Sequence, residues 1–291
     1  MKHYILYNPL AGHGRNEGNL FRRRMRDSDY EVMEVDITTL DGRAAYEAFF
    51  AAIAPEDVII LCGGDGTINR FVNATDGLDM PQDICYFPTG TGNDFLKDID
   101  KTDVEDFFSI KEYLQNLPMV EVKGRRYRFL NNVGFGIDGY CCEVGDAQKA
   151  ANEEKPNAKP VNYTAIAIKG LLFGHKPAKA VVTVDGVEHR YKKVWLAPTM
   201  KGRYYGGGMM PTPDQQRDAP DGTLSVMAWH DSGKLRTLMA FPKIFEGKLG
   251  RYPKMVDVLE GHDIRVVFDR PTALQVDGET IHGVTEYHAK A

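Results

Sequence analysis

The chain has 291 residues, of which 43% are hydrophobic and 26% are charged. This composition is typical of a folded globular protein and excludes a disordered or fibrous chain, and the length favours two domains. A formal net charge of −5 argues against a protein that binds nucleic acid through its phosphates. The charge is uneven, because residues 1–124 carry a net charge of −10 and residues 125–291 carry +5. Such asymmetry indicates two units with different surfaces.

The first 125 residues alternate between strand and helix patterns. The run 58–62 is continuously apolar, which is typical of a strand buried on both faces of a sheet. The alternation predicts a parallel α/β sheet, whose ligands bind beyond the carboxyl ends of the strands. In the second predicted helix, Ala45, Phe49 and Ala52 lie on one face. The strands are predicted at 3–7, 30–36, 58–62 and 84–87, and the helices at 20–26 and 43–54.

The second part of the chain is richer in strand patterns, with a hairpin turn at Asp185-Gly186. It predicts a β-sandwich or barrel over residues 126–291, following an α/β domain over 1–125. Residues 285–289 predict at most one short strand, and the last residues are candidates for a return to the first domain. The strands are predicted at 119–122, 127–131, 181–184, 187–196, 224–229, 263–268 and 272–276, and the helices near 145–153 and 163–172.

The chain contains no run of about 18 apolar residues, so the sequence predicts no membrane span. Its four cysteines lack metal-type spacing, and Cys62 and Cys85 lie in apolar runs that predict buried thiols. A reduced cytoplasmic setting is therefore expected.

A glycine-rich segment, GGDGTIN at 63–69, directly follows the buried strand 58–62. Glycines let the backbone approach a phosphate closely, and the amides of the turn and of a following helix form an anion cradle. Asp65 can bind or orient a magnesium ion held by the phosphates, and Thr67 can donate its hydroxyl. The alternative is a purely structural strand–turn–helix.

Two similar segments follow other strands: NPLAGHG at 8–14 and PTGTGNDF at 88–95. Since all three segments follow parallel strands, we expect them to converge at one edge of the sheet. None has the GxxxxGK[ST] or the GxGxxG pattern, so neither a Walker loop nor a hydride-transfer site is supported.

The order of these segments resembles the diacylglycerol kinase catalytic domain, particularly the stand-alone bacterial lipid kinases. GGDGT is also shared with NAD kinases and 6-phosphofructokinases, whose nucleotide-binding fold the first domain is expected to share. The second half adds a glycine-rich segment that ends at Asp138, a YGGG segment at 205–208, DGTL at 221–224 and DGE at 277–279. The resemblance covers about residues 4–280.

The resemblance implies an ATP-dependent kinase that uses Mg²⁺ and phosphorylates the hydroxyl of a lipid such as diacylglycerol. Catalysis of phosphoryl transfer is mainly positioning and charge neutralisation. Arg70 stands where the family usually has Glu. The residues that the resemblance places at the nucleotide are Asn8, Pro9, Gly12, Thr38, Gly64, Asp65, Gly66, Thr67, Asn69, Arg70, Thr91, Asn93 and Asp94.

Asp277 and Glu279, together with Asp65, are the predicted catalytic residues. Two carboxylates two residues apart on an extended strand point to the same side, and either can be the general base toward the lipid hydroxyl. An acidic hairpin turn is the alternative. The resemblance also implies a structural magnesium held by the Asp221 side chain and the carbonyls of Asp218 and Thr223, for which an Asx-turn is the alternative.

The leading interpretation is a kinase that associates peripherally with the inner membrane face through its basic second half. The apolar run 165–173, with Met209 and Met210, either lines a lipid pocket or packs in the core. An NAD kinase-like enzyme and a non-catalytic nucleotide or lipid sensor are the alternatives, and a homodimer is left open. The cations predicted to contribute to docking are Lys176, Lys179, Lys192, Lys193, Lys201 and Arg203.

Overall fold

The computed structural model describes residues 1–9, 15–90, 93–152 and 161–291. It divides into two compact units, Met1–Leu117 and Pro118–Ala291. The boundary lies at 117/118 and not at the predicted 125/126, because the strand that begins at Met119 pairs with the last strand of the second unit. Two predicted nucleotide-binding residues, Gly12 and Thr91, lie outside the described residues.

The first unit is a five-stranded sheet with helices between its strands, as predicted. The strand order is β2-β1-β3-β4-β5, and all neighbours are parallel except β4 and β5. The strands are β1 (Lys2–Tyr7), β2 (Glu31–Asp36), β3 (Val58–Gly63), β4 (Asp83–Pro88) and β5 (Phe108–Ser109), and the helices are α1 (Arg15–Arg26), α2 (Gly42–Ala51), α3 (Asp65–Ala74) and α4 (Asp94–Asp98).

Aromatic packing decides which face of α2 is buried. Tyr46 and Phe50 are the buried residues of the helix. Ala45 and Phe49 are half-buried, and Ala52 is exposed. The rings of Tyr46 and Phe50 both pack edge-on against Phe71 of α3, with centroids 5.7 and 6.3 Å away. Large aromatic rings bury much apolar area, so Tyr46 and Phe50 set the buried face of α2. Cys62 and Cys85 are buried thiols, as predicted.

The second unit is built on an antiparallel sheet with the path β13-β12-β11-β8-β14-β15-β6-β7, from which β9 and β10 branch at β14. Its helices α5, α6 and α7 and a π-helical turn, Gly170–Gly174, pack beside the sheet. The strands are β6 (Met119–Val122), β7 (Arg125–Arg128), β8 (Asn132–Gly136), β9 (Ala178–Val184), β10 (Val187–Val194), β11 (Leu196–Met200), β12 (Leu224–Trp229), β13 (Val256–Gly261), β14 (Asp263–Val276) and β15 (Glu279–Lys290), and the helices are α5 (Ile137–Asn152), α6 (Tyr163–Lys169) and α7 (Lys234–Ala240).

Two predictions about the last strands were wrong. The two strands predicted at 263–268 and 272–276 form one strand, β14, whose register shifts between Val267 and Thr272. The chain end forms the 12-residue strand β15, which pairs with β14 and β6 and thus extends the sheet of the second unit. No helix within the described ranges is long and apolar enough to cross a membrane.

The second unit has two apolar clusters. One lies at the sheet and contains Phe135, Phe268 and Tyr287. The other joins the helices to the sheet and includes Ile166, Leu171 and the two tryptophans. Of the run 165–173, the buried residues therefore belong to core packing, whereas Phe173 is exposed.

Candidate active site

The glycine segments of the first unit follow adjacent strands. β3 lies between β1 and β4, and all three run in the same direction. Asn8-Pro9, Gly63-Gly64 and Thr89-Gly90 therefore follow the carboxyl ends of neighbouring strands. Thr38 lies at the same edge after β2, where its amide and hydroxyl donate to Asp36 Oδ1 over 2.9 and 2.7 Å.

The segments after β3 and β4 contact each other backbone to backbone. The carbonyl of Gly63 accepts hydrogen bonds from the amides of Thr89 (2.7 Å) and Gly90 (3.1 Å) and from the Tyr86 hydroxyl (2.9 Å). A Cβ atom added to Gly90 would lie 2.5 Å from Cα of Gly64, closer than atoms can approach. The absence of side chains at both positions therefore lets two predicted nucleotide-binding segments form one surface.

Asp65 joins these two segments through its side chain. Its Oδ2 accepts hydrogen bonds from the amides of Asp94 (2.9 Å) and Phe95 (3.2 Å), the first two residues of α4. Asn93, the residue at the N-cap position of α4, makes no side-chain cap of its own. Asp65 thus caps α4 from a neighbouring helix, which fixes the orientation of its carboxylate.

The beginning of α3 contains one glycine that packing does not require. A Cβ atom at Gly63 would overlap the Thr67 side chain, whereas one at Gly66 would meet no atom within 4 Å. Gly66 is exposed in the first turn of α3, where the amides of Thr67 and Ile68 donate to the Gly64 carbonyl (2.8 and 3.3 Å). The open space and the positive end of the helix dipole together make this turn suitable for an anion.

The remaining predicted residues on α3 differ in their surroundings. Asn69 is buried, and its carbonyl accepts a hydrogen bond from Asn73 Nδ2 over 2.9 Å. Arg70 is exposed. Its charge partly offsets the effect of burial on Tyr46, whose pKa is raised to about 12. Arg70 therefore lies on the side of α3 that faces α2.

In the second unit, Asp277 and Gly278 form the two-residue turn between β14 and β15. Both have positive φ, +47° and +90°, as in a type I′ turn, and Val276 pairs with Glu279 across it. The expectation that Asp277 and Glu279 lie on one extended strand is therefore wrong. The two carboxylates lie at different positions of a hairpin and have different surroundings.

The Asp277 carboxylate binds the backbone that precedes β8. It accepts hydrogen bonds from the amides of Leu130 (2.5 Å), Asn131 (2.8 Å) and Asn132 (2.9 Å). The buried Arg217 holds the same segment through the Leu130 carbonyl (2.6 Å) and Asn131 Oδ1 (2.7 Å). Asp277 therefore anchors the hairpin, a structural role that the sequence did not reveal.

Glu279 begins β15 and is exposed. Its negative charge is among the causes that raise the pKa of the Cys142 thiol, after burial and the charges of α5. The next residue, Thr280, donates its hydroxyl to Asp146 Oδ2 of α5 over 2.7 Å. Of the two residues in the DGE segment that carry a carboxylate, Glu279 is the more exposed.

A buried network supports the other side of the turn. Gln275 accepts a hydrogen bond from the Gly278 amide (2.9 Å) and donates to Asp138 Oδ2 (3.3 Å). Burial raises the pKa of the Asp138 carboxyl to about 6, although its hydrogen bonds with Gly139 and Gln275 lower it. In the sequence, Asp138 ends a glycine-rich segment, and this position is the only local signal that points to a role.

Hydrogen bonds hold the turn at which the structural magnesium ion was predicted. Asp221 Oδ1 accepts from the Thr223 amide (3.1 Å) in an Asx-turn. Hydrogen bonds from the Thr223 hydroxyl and then from its amide lower the Asp221 pKa. The Thr223 carbonyl accepts from Gln215 Nε2 (2.9 Å), and Asp218 is exposed. In the described parts of the chain, no group of three or more His, Cys, Asp or Glu residues could hold a metal ion. Two of the three groups expected to bind the ion, the Asp221 side chain and the Thr223 carbonyl, thus already have partners, and the metal site stays a prediction.

Two family models match nearly the whole chain. Residues 2–117 match the diacylglycerol kinase catalytic domain, and residues 132–288 match the YegS C-terminal NAD kinase beta sandwich-like domain. The chain belongs to the family of bacterial lipid kinases related to diacylglycerol kinase. The resemblance seen in the motifs is thereby confirmed.

Curated relatives of this lipid kinase family member include two diacylglycerol kinases. The one from Mycobacterium tuberculosis is 26% identical over 254 residues, which cover 83% of this chain and 77% of the relative. The one from Bacillus subtilis is 37% identical over 95 residues, 32% of this chain and 31% of the relative. A crystal structure of a diacylglycerol kinase from Bacillus anthracis superposes with a TM-score of 0.61 at 20% identity, covering 99% and 94% of the two chains. At that identity the superposition shows a shared fold.

Proposed function

We propose that the chain is an ATP-dependent lipid kinase that transfers the γ-phosphate of ATP to a hydroxyl of a lipid such as diacylglycerol. The observation that carries the proposal is the exposed Glu279, held beside an anchored Asp277 in a member of a lipid kinase family. The family supports kinase chemistry, and the low identity to its members leaves the acceptor lipid as part of the proposal.

The first unit supplies the proposed nucleotide site. A phosphate near the first turn of α3 would find space at Gly66 and the positive end of the helix dipole. Asp65 has the donor chemistry that Mg²⁺ prefers, and its hydrogen bonds with α4 hold the carboxylate in one orientation. When bound, magnesium-ATP supplies the phosphoryl group and neutralises part of its charge.

The second unit supplies the proposed base. Glu279 accepts the proton of the lipid hydroxyl as the hydroxyl oxygen attacks the γ-phosphorus of ATP. The bond between that phosphorus and the β–γ bridging oxygen breaks, so ADP leaves and the lipid becomes a phosphate ester. Asp277 is not assigned this proton transfer, because its two oxygens already accept three backbone hydrogen bonds. Its role is to hold the hairpin that presents Glu279. Peripheral association with the inner membrane face completes the proposal, since the acceptor lies in a bilayer.

A labelled-ATP assay tests the proposal against its alternatives. The full chain is incubated with γ-labelled ATP and Mg²⁺, together with diacylglycerol micelles or with NAD. Label in the lipid alone supports the lipid kinase, and label in NAD alone contradicts it in favour of an NAD kinase-like enzyme. If ATP binds but a panel of hydroxyl lipids acquires no label, the sensor alternative is favoured. Glu279→Gln is the loss-of-base variant, and Glu286→Gln, an exposed carboxylate on the same strand, is its matched control.

A further inference from the structure

A carboxylate ends β2 at the same edge of the sheet as the proposed nucleotide site. Asp36, the last residue of β2, is paired with Tyr7 of β1, and Tyr7 is paired with Cys62 of β3. Neighbouring strands lie about 4.8 Å apart, so Asp36 is about 10 Å across the sheet edge from the strand that precedes Gly66. Asp36 and the glycine segments therefore share the carboxyl edge of the sheet in the first unit.

The backbone that follows β2 orients the Asp36 carboxylate. Asp36 caps the short 3₁₀ helix Ile37–Thr39, because its Oδ1 accepts hydrogen bonds from the Thr38 amide (2.9 Å) and the Thr38 hydroxyl (2.7 Å). The Thr39 hydroxyl donates to the Asp36 carbonyl over 2.7 Å. These three hydrogen bonds hold the residue and limit the rotation of its side chain.

The second oxygen of this carboxylate is available to a ligand. Within the described ranges, Asp36 Oδ2 has no hydrogen-bond or ion-pair partner, and the residue is half-buried. Glu34 lies two residues earlier on the same face of β2, but its two oxygens are bound by Arg26 (2.8 Å) and Arg22 (3.2 Å). Asp36 therefore offers an oriented acceptor oxygen that no described cation neutralises.

An acceptor oxygen of this kind suits a ligand that carries hydroxyl groups. A ribose presents two adjacent hydroxyl donors, and hydrogen bonds to an ionised acceptor are stronger than those to a neutral one. A carboxylate after the second strand of a nucleotide-binding sheet is a known means of binding ribose hydroxyls. The sugar of a nucleotide follows its phosphates, so with the phosphates at α3 the sugar can reach β2 along the sheet edge. A phosphate is a poor partner for Asp36, because like charges repel.

We propose that Asp36 binds the ribose hydroxyls of the nucleotide and makes the chain select ribonucleotides over nucleotides that lack these hydroxyls. This inference rests on the proposed function in one respect, namely that a nucleotide binds at the carboxyl edge of the first unit. It goes beyond that function, because Asp36 lies outside the glycine segments and determines which sugar is accepted. Asp36 takes no part in the transfer of the phosphoryl group.

The test is calorimetric binding of the full chain to ATP and to 2′,3′-dideoxy-ATP, each with Mg²⁺. The wild type should bind ATP at least about tenfold more tightly, because the analogue cannot donate to the carboxylate. Asp36→Ser keeps a side-chain oxygen that caps a helix well and removes the second oxygen. This variant should bind ATP about tenfold or more weakly than the wild type does, with binding of dideoxy-ATP nearly unchanged. Glu31→Gln, at the opposite end of β2, where Glu31 pairs with Lys2 over 3.1 Å, is the matched control and should keep the wild-type preference.

Equal binding of the two nucleotides by the wild type, or an unchanged preference in Asp36→Ser, would overturn the inference. The wild-type comparison needs no variant, and retained binding of dideoxy-ATP shows that Asp36→Ser is folded. Inosine triphosphate lacks the amino group of adenine. If it binds the wild type more weakly than ATP and Asp36→Ser abolishes that difference, Asp36 contacts the base and the inference is also overturned.

Turnover of diacylglycerol, measured in parallel, separates this inference from the proposed function. Discrimination between the two nucleotides without phosphorylation of any lipid would contradict the proposed function and support the role of Asp36. Phosphorylation of lipid without discrimination would contradict the role of Asp36 and support the proposed function. A wild-type chain that binds neither nucleotide would contradict both.

Discussion

Asp277→Asn tests whether the first carboxylate of the DGE segment anchors the hairpin. Asparagine tolerates the positive φ of this position, so the substitution changes the carboxylate and leaves the turn possible. The oxygen that accepts from Asn131 and Asn132 can be retained. The other oxygen, which accepts from Leu130, becomes an NH₂ group that faces a donor.

The expected cost follows from that single lost acceptor. Leu130 is fully buried, and an amide left without its charged partner costs about 2 kcal/mol. For a unit of this size, such a loss lowers Tm by about 4–8 °C. Glu279→Gln removes an exposed carboxylate, so we expect Tm to stay within about 1 °C and turnover of lipid to fall by about 10²–10⁴.

The assay combines thermal unfolding with turnover of labelled ATP for both variants and for Glu286→Gln, which should change neither quantity appreciably. If Asp277 anchors the hairpin and Glu279 is the base, Asp277→Asn lowers Tm, whereas Glu279→Gln lowers turnover and leaves Tm unchanged. The reasoning would be refuted if Asp277→Asn kept the wild-type Tm, or if Glu279→Gln kept the wild-type turnover.

Three further predictions concern both units. Gly66→Ala should leave Tm nearly unchanged and weaken ATP binding in calorimetry, whereas Gly90→Ala should destabilise the first unit by about 1–3 kcal/mol, because its methyl would meet Gly64. Asp65→Ala should destabilise the same unit by about 1–2 kcal/mol through the lost cap of α4. Burial raises the Asp138 pKa to about 6, above the ordinary 3.8, so the folded state binds this proton more tightly than the unfolded chain. The Asp138 contribution to the free energy of unfolding therefore rises as pH falls from about 6 to about 4, and Asp138→Asn should remove that part of the pH dependence in denaturant titrations.

For each of these predictions, one experimental result would contradict it. Equal Tm values for the two glycine variants would contradict the close approach at Gly90. An unchanged Tm in Asp65→Ala would contradict the cap, and the variant's turnover separately reports on the proposed role at magnesium. The same pH slope in Asp138→Asn and wild type between about pH 4 and 6 would show that Asp138 titrates normally.

The sequence by itself determined the features that depend on neighbouring residues. The apolar run at 58–62 predicted the buried strand β3, and the alternation around it predicted the parallel sheet. The glycine segments predicted where the chain turns at the sheet edge, and their order predicted the lipid kinase family. Patterns of this kind are read within about ten residues, because strand and helix periods and turn chemistry are local.

The tertiary structure alone decided how the acidic residues divide their roles. Asp277 and Glu279 are two residues apart, yet one anchors the hairpin and the other is exposed, because Asp277 accepts hydrogen bonds from amides 145–147 positions earlier in the chain. Asp65 likewise caps a helix that begins 29 residues later, and Asp138 meets Gln275 across 137 residues. Such contacts exist only when the sheet brings distant segments together, so neither spacing nor composition records them.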